Sequence, residues 1–363
     1  METKLVTGNI GEWSEFYAFI KILTDRQIAA ADEDLEKIFD KYFSVLKVIR
    51  SEKGAERQEY VFLDGSIGIH DSTGNDLGSI QNAVIKRGVA EVLEKMKASK
   101  SRTFSISSVA PLMKALHCSG IKASSHNKED LTLVVHDRIS DTMPEQGFSI
   151  KSMLGSPSTL LNPSSATNFS YKVLGATSGP EKLNESLGKS KIQNRIANLI
   201  SEGGTLSFDG ISNEMFRRNL TRIDTVFPEI LSKMLAAYFE GKGSTMEELV
   251  EIVSTNAVLR AKYGLEKADY EYRIKNFLAA VALGMTPTKQ WSGLDTALGG
   301  YIIVKEDGEL VCYHLYNRDE FKSYLYKNTC FDTPSSTRYG FGKFYSKDGN
   351  LHIDLNLQIR FVR

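Results

Sequence analysis

The chain has 363 residues, of which 41% are hydrophobic, so it is long enough for two modest domains or one large one and can bury a core. Lysine plus arginine and aspartate plus glutamate both total 45, which excludes a global positive field as the means of binding a polyanion. This balance argues against a passive DNA-coating protein. It does not argue against a nuclease, which needs carboxylates beside a local basic cleft.

Three features bear on location. The cysteines Cys118, Cys312 and Cys330 are widely spaced without a CxxC pair, which predicts reduced thiols. The first residues, METKLVTGNIGEWSE, lack the apolar run of a secretion signal. The longest apolar stretch, residues 277–285, is far short of the ~20 residues of a membrane span. We therefore expect a cytoplasmic protein without a membrane segment.

An amphipathic helix is predicted after Gly11, with Glu12 and Glu15 beside its apolar stripe. The stripe consists of Trp13, Phe16, Tyr17, Ile20 and Leu23. A second helix is predicted in the acidic stretch after Ala31.

The next part of the chain alternates between strand and helix patterns. Residues 42–70 contain short β-branched or aromatic runs between turns, which predicts a small β-meander. Helical periodicity returns over residues 77–98 and again over 108–117.

A central block predicts an antiparallel hairpin, because the strand-like runs DLTLVVHD and GFSIKSML are joined by the turn-rich ISDTMPEQ. A loop rich in Ser, Thr, Asn and Pro is predicted to follow over residues 156–169. FSYKVLG then reads as a further strand.

Residues 180–285 are predicted to be mostly helical, and the tail from Gly299 returns to β structure. Within the tail we expect a hairpin from GYIIVK and ELVCYHLY, a short helix in NRDEFKSYLY and a last hairpin around KDGN. The fold class is therefore α/β, as an α+β mixture, with a helical subregion and a C-terminal β-rich part.

The central hairpin carries residues suited to metal-dependent phosphodiester cleavage. Such chemistry needs a hard cation held by carboxylates and a lysine that offsets charge on the phosphate. An aspartate at the start of one strand and an acidic-x-Lys unit on its partner can supply these groups, since alternate residues share a face. Asp130 begins DLTLVV, and Ser149-Ile150-Lys151 lies on the following strand. On spacing alone, a turn aspartate and a solvated lysine are the simpler explanation.

Five stretches resemble the signature blocks of the HpaII-type family of type II restriction endonucleases. They are GEWSEFYAFIKIL, SSHNKEDLTLVVHD, GFSIKSMLGSPSTLLNPSSATNF, GGYIIVKEDGELVCYHLYNRDEF and LNLQIRF. The resemblance, which spans Gly11 to Phe361, implies a core sheet of the PD-(D/E)xK nuclease type flanked by helices. It also implies Mg²⁺-dependent cuts in double-stranded DNA that leave 5′-phosphate ends, at a short C/G-rich palindrome. We expect a catalytic region over residues 1–175, and DNA recognition and completion of the fold over 176–363.

By position in these blocks, Asp130 matches the metal-binding aspartate and Lys151 the lysine that contacts the phosphate or attacking water. Ser149 stands where the second carboxylate is usual, and a hydroxyl is a poor Mg²⁺ ligand because it carries no charge. The resemblance implies that Glu15, with Glu12 next in order, supplies the missing carboxylate from the N-terminal helix. The alternative is that these are ordinary exposed helix glutamates.

Two weaker candidates for the missing carboxylate are Asp141, in the hairpin turn, and Asp137. Ser149 itself remains a candidate member of the catalytic group.

Contacts to DNA are predicted in three places, although ordinary surface roles remain open for each. They are the loop after the catalytic strand, a helix with arginines on one face and a turn region near the C-terminus. The residues are Ser156, Ser158, Thr159, Asn162, Arg218, Arg222 and Arg338.

Two other functions compete with a restriction endonuclease. One is a structure-directed or repair nuclease, which would share the chemistry. The other is a non-catalytic DNA-binding protein. The main argument for it is that Ser149 stands where a second carboxylate is usual. Both a monomer and a two-fold dimer fit the sequence.

Overall fold

The computed structural model describes residues 6–51, 57–123, 129–136, 142–295 and 297–362. The chain divides into two compact units. The first combines Met1–Ser158 with Asp295–Phe321, and the second combines Thr159–Leu294 with Lys322–Arg363.

The strands, β1 to β18 in chain order, are Thr7–Gly8, Gln27–Ala31, Lys37–Ser51, Arg57–Phe62, Ser66–His70, Asp76–Gln81, Phe104–Ser105, Leu131–Val135, Glu145–Ser152, Thr159–Leu161, Asn168–Leu174, Thr205–Ile211, Gly300–Val304, Leu310–His314, Thr329–Phe331, Phe344–Lys347, Asn350–Asn356 and Ile359–Phe361. The α-helices, α1 to α12, are Ile10–Asp25, Asn82–Ala98, Ala110–Ala115, Pro180–Leu183, Lys191–Ser201, Glu214–Ile223, Phe227–Phe239, Met246–Ser254, Ala257–Tyr263, Lys267–Ala282, Arg318–Lys327 and Ser336–Tyr339. Single 3₁₀ turns lie at Ser107–Val109, Ser165–Thr167 and Leu315–Asn317. The predicted mixed α/β class is confirmed.

The first unit is built on a sheet of nine strands in the described part of the chain, in the order β2-β14-β13-β9-β8-β3-β4-β5-β6. The predicted meander is present as β3 to β5, and β6 extends it. The predicted central hairpin is present as antiparallel β8 and β9. The sheet therefore places β9 among inner strands, with β8 on one side and β13 on the other.

Helix α1 packs against β9 and α2 in the first unit. The five residues of its predicted apolar stripe are each at most 1% exposed. Burial of a large apolar side chain contributes roughly 1.5–3 kcal/mol, so this stripe fixes which face of α1 is turned to the sheet. The helix prediction is confirmed.

The helix predicted after Ala31 is wrong. Residues 32–36 form a turn, in which the Asp32 carboxylate accepts hydrogen bonds from the amides of Asp34 and Glu36, both 2.9 Å. Leu35 has a positive φ of 64°, outside the right-handed helical region. A short aspartate side chain that bonds nearby amides stabilises a turn at the expense of a helix.

The two hairpins of the C-terminal tail are confirmed, but they lie in different units. β13 and β14 join the first unit, where β13 runs parallel to β9. β16 and β17 pair with each other in the second unit. This differs from the predicted division at residue 175, because residues 300–314 complete the first unit's sheet and strands β10 and β11 pair within the second unit.

The second unit contains the sheets β12-β11-β17-β16 and β10-β18-β15 together with α4 to α10. Its helical region is the one predicted, with β12 as an added strand that pairs with β11. Helices α7 and α10 each bury an apolar face. Phe227 of α7 and Phe277 of α10 are fully buried, and their ring centroids lie 5.1 Å apart. In the part of the chain that the structure describes, no helix is long and apolar enough to cross a membrane.

Candidate active site

Asp130 immediately precedes β8, where the hairpin holds both its backbone and its side chain. Its amide donates to the carbonyl of Phe148 over 2.8 Å. Its Oδ2 atom accepts the amide hydrogen of Ile150 over 2.8 Å. Buried apolar side chains on β8 and β9, such as Leu131 and Phe148, fix the register of this pair. The aspartate is thus oriented by the strand that carries Lys151.

Ser149 also contacts this aspartate. Its hydroxyl donates to Oδ2 of Asp130 over 3.2 Å, and the serine is only 7% exposed. Asp130 Oδ2 therefore accepts hydrogen bonds from two donors on β9. The Ser149 hydroxyl thus helps to orient the aspartate.

Glu15 is delivered by α1, whose first turn is fixed by a capping box. The Asn9 side chain accepts the amide of Glu12 over 3.0 Å, and the Glu12 carboxylate accepts the amide of Asn9 over 2.9 Å. Tyr17 anchors the next turn by donating its hydroxyl to the carbonyl of Gly308 over 2.6 Å. Glu15 lies between these fixed points and leaves 13% of its side chain exposed.

Burial and nearby charges, among them that of Asp130, shift the pKa of Glu15. Burial first, and then the charge of Asp130, raise the pKa of Glu15 from 4.5 to about 7, although Lys122 and Lys151 lower it. The Oε2 atom of Glu15 is buried and has no hydrogen-bond partner among the described residues. A buried carboxylate oxygen without a donor is costly unless a cation or proton lies against it.

The Glu12 carboxylate has a structural role in the capping box of α1. One of its carboxylate oxygens closes the capping box at the start of α1, which stabilises the helix by about 1 kcal/mol in typical cases. This favours Glu15 over Glu12 as the second acidic group. The weaker candidates Asp137 and Asp141 lie outside the described residues.

Lys122 was not predicted from the sequence but belongs to the same group. Its Nζ atom lies 3.2 Å from Oε1 of Glu15. Burial lowers the pKa of Lys122, but Glu15 and Asp130 raise it more, so that the pKa is raised overall. The only signal available was its place in GIKASSHNKED just before Asp130, and nothing in that spacing indicates a contact with a helix at residue 15.

Lys151 is half-buried near the end of β9, where its position pairs with Ile303 of the parallel strand β13. Its positive charge acts on Glu15, whose pKa it lowers. The structure thus brings together Glu15 of α1, Asp130 just before β8, and Ser149 and Lys151 of β9. The group contains two carboxylates and a lysine, which are the kinds of side chain that bind a cation and a phosphate.

The two acidic side chains fit Mg²⁺ in kind. Mg²⁺ prefers oxygen ligands and is often held by one or two carboxylates, with water and substrate phosphates completing its shell. Among the described residues no group of three or more His, Cys, Asp or Glu side chains is arranged to hold a metal ion. The unpartnered Glu15 oxygen is the observation that supports a cation here.

The residues predicted to contact DNA lie in both units. Ser156 and Ser158 follow β9, whereas Thr159 begins β10 and Asn162 is exposed just after it. The predicted loop is therefore shorter than expected, since strand β10 interrupts it.

The predicted DNA-binding arginines all have contacts within the second unit. Arg218 pairs with Glu214 over 3.2 Å. Arg222 donates to the carbonyl of Trp291. Arg338 lies over the ring of Tyr339, 5.5 Å from its centroid. Contacts between these residues and DNA stay a prediction.

Comparison with known proteins identifies the family of the chain. A family model described as HpaII restriction endonuclease matches residues 9–361. The type II restriction enzyme HpaII of Haemophilus parainfluenzae is 40% identical over 361 residues, which cover 99% of this chain and 100% of the relative. No solved structure matches. A match of this extent decides for a restriction enzyme over the repair nuclease and the non-catalytic DNA-binding protein. The chain belongs to the HpaII restriction endonuclease family, and it is a site-specific deoxyribonuclease.

Proposed function

We propose that this enzyme makes Mg²⁺-dependent hydrolytic cuts in double-stranded DNA at the site formed by Asp130, Glu15 and Lys151. The observation that carries the proposal is the placement of the buried, unpartnered Glu15 oxygen within the electrostatic reach of Asp130 and Lys151. It rests also on the HpaII family membership of the whole chain. The core is of the PD-(D/E)xK type, with Glu15 replacing the carboxylate missing at Ser149.

Asp130 and Glu15 would hold the cation, and when bound there Mg²⁺ supplies Lewis-acid polarisation of the scissile phosphate. Two donors from β9 keep Asp130 in one rotamer, so the site needs little reorganisation as the reaction proceeds. Lys151 presents its ammonium group to the phosphate and offsets the negative charge that grows there. Lys122 stays paired with Glu15 and balances the second carboxylate.

The products would be 5′-phosphate and 3′-hydroxyl ends at a short C/G-rich palindrome. The C/G-rich palindrome is what the resemblance of the signature blocks implies, and the family membership supports cleavage at a defined sequence. A DNA sequence is read by side chains that contact base edges. The catalytic residues act on the phosphate and therefore do not determine the target sequence.

The test is digestion of plasmid DNA by the purified enzyme with Mg²⁺ and with a chelator. We expect discrete fragments whose ends map to one palindrome, accept a kinase label only after phosphatase treatment and do not form in chelator. Asp130→Asn should abolish cutting, whereas Asp64→Asn, an exposed aspartate between β4 and β5, should not. Cutting by Asp130→Asn, or cutting in chelator, would contradict the proposal.

A further inference from the structure

The second unit contains a cationic cavity that the proposed cleavage site does not use. It has a volume of about 320 Å³ and is lined by Lys191, Arg195, Lys343, Ser336, Thr337 and Asp354, with Phe341 and Tyr345 among its walls. A water molecule takes up roughly 30 Å³ in the liquid, so the cavity has room for a much larger group. Three cationic side chains face one carboxylate.

Arg195 is the unusual member of this cavity. It is only 3% exposed, and it forms no ion pair with any described residue. Its guanidinium donates to the carbonyls of Gly342 over 2.7 Å and Asn184 over 3.0 Å, and its Nε atom is buried without a partner. A buried charge without a counter-charge is expensive, so an anion in the cavity would stabilise the folded unit.

The two lysines of the cavity could also contact an anion. Lys191 begins α5 and Lys343 precedes β16, and neither forms an ion pair in the described part of the chain. The one acidic group, Asp354, already accepts hydrogen bonds from Ser170 over 2.6 Å and Tyr345 over 3.1 Å. Two hydroxyl groups, from Ser336 and Thr337, complete a lining rich in donors.

We propose that this cavity binds a phosphate oxyanion, and that the backbone of the DNA substrate supplies it. Positive charge, hydroxyl donors and a guanidinium are the groups that contact phosphates in protein–DNA complexes. Helix α12, which contributes Ser336 and Thr337, also carries Arg338, itself a predicted DNA contact. A phosphate held here adds affinity without sequence preference. The choice of DNA as the source rests on the proposed function, whereas the oxyanion site does not.

The test compares two double variants by binding alone, without metal and without cleavage. Lys191→Gln with Lys343→Gln removes the two lysines of the cavity and leaves Arg195, whose two carbonyl bonds make it a poor target. Lys189→Gln with Lys347→Gln is the matched control, because both lysines are exposed neighbours outside the lining. Equal thermal melting temperatures show that all three proteins are folded.

Inorganic phosphate is the first probe. Wild type and the control should broaden the ³¹P resonance of phosphate at millimolar concentration, and the cavity variant should not. A plasmid fragment in chelator is the second probe. The plot of log affinity against log salt should flatten by about 0.9 in the cavity variant, the value for one lost phosphate contact, and not in the control.

Two results overturn the proposal in full: no broadening by the wild type, or equal effects in both double variants. Loss of phosphate binding with an unchanged salt dependence for DNA overturns DNA as the source and leaves a site for free phosphate. Cleavage that survives Asp130→Asn would overturn the proposed catalytic site while leaving these binding measurements as they are.

Discussion

The hydroxyl of Ser149 donates to Oδ2 of Asp130 across 3.2 Å, from a serine that is almost wholly buried. The residue at the position where the family resemblance implies a second carboxylate therefore contacts Asp130. A carboxylate at this position would face Asp130 at short range, and two like charges there would each raise the pKa of the other. With a serine on β9, the second negative charge can instead approach from α1.

Ser149→Ala should weaken cleavage without abolishing it. A hydrogen bond to a charged group is worth about 1.5–3 kcal/mol, and the amide of Ile150 still holds Asp130, so we expect a loss in kcat of about tenfold. Single-turnover cleavage of a plasmid measures this. A loss as complete as that of Asp130→Asn would instead mean that the hydroxyl takes part in the reaction directly.

Glu15→Gln should abolish cleavage and alter the dependence of stability on pH. In the metal-free protein the pKa of Glu15 is raised from 4.5 to about 7, so the folded state binds more protons than the unfolded state between these values. Stability is therefore lost as the pH rises from about 4.5 to 7, by about 3 kcal/mol from this group. The glutamine variant cannot ionise and should lack this loss. Urea unfolding in chelator at pH 5 and pH 8 checks it.

Glu12→Gln is the control on the same helix. Its side chain can still accept the amide hydrogen of Asn9, so we expect near-normal cleavage and a stability change of no more than about 1 kcal/mol. Wild-type cleavage by Glu15→Gln together with inactive Glu12→Gln would reverse the assignment of the two glutamates.

Lys122→Ala should shift the pH dependence of cleavage. Lys122 lowers the pKa of Glu15 through its charge and its hydrogen bond, so its loss leaves Glu15 protonated to higher pH. We expect the acidic limb of the profile of kcat/KM against pH to move upward, with recovery at high pH or high Mg²⁺. Lys114→Ala, which removes an exposed lysine of α3 in the same unit, should leave the profile unchanged. A uniform loss at every pH would point to a direct role in the reaction.

Gly300→Ala should destabilise the first unit. Gly300 has a φ of 115°, and an added Cβ would lie 2.0 Å from the carbonyl oxygen of Tyr313, which is backbone and cannot rotate away. Backbone strain of this kind costs roughly 1–3 kcal/mol, and the clash adds to it. Gly349→Ala is the matched control. Gly349 also has a positive φ, of 71°, but no atom lies within 4 Å of the added Cβ. This variant should therefore lose only about 1 kcal/mol of folding stability. Equal melting temperatures for the two variants would contradict this reasoning.

Local periodicity was enough to predict α1, the β8–β9 hairpin and both tail hairpins, because each depends on residues close in sequence. It failed after Ala31, where Asp32 bonds to nearby amides and forms a turn. Pairings between distant segments carry no such signal. The contact of Lys122 with Glu15 and the parallel pairing of β13 with β9 could not be predicted for that reason.

The resemblance supplied what spacing could not at the site. It pointed to Glu15 on the N-terminal helix, and the structure puts that residue within the electrostatic reach of Asp130. Its role in holding a metal stays a prediction, as do the roles of Asp130 and Lys151.

The sheet that carries the candidate site is completed only when the parallel strand β13 has been synthesised. Glu15, Asp130 and Lys151 leave the ribosome long before Gly300–Val304, which lies along the other side of the lysine-bearing strand. Until then β9 has one open edge, and the sheet around it is unfinished. A chain cut short by a premature stop before Gly300 would carry all three residues and lack their support. We therefore expect cleavage at the proposed site to require a chain that extends through β13.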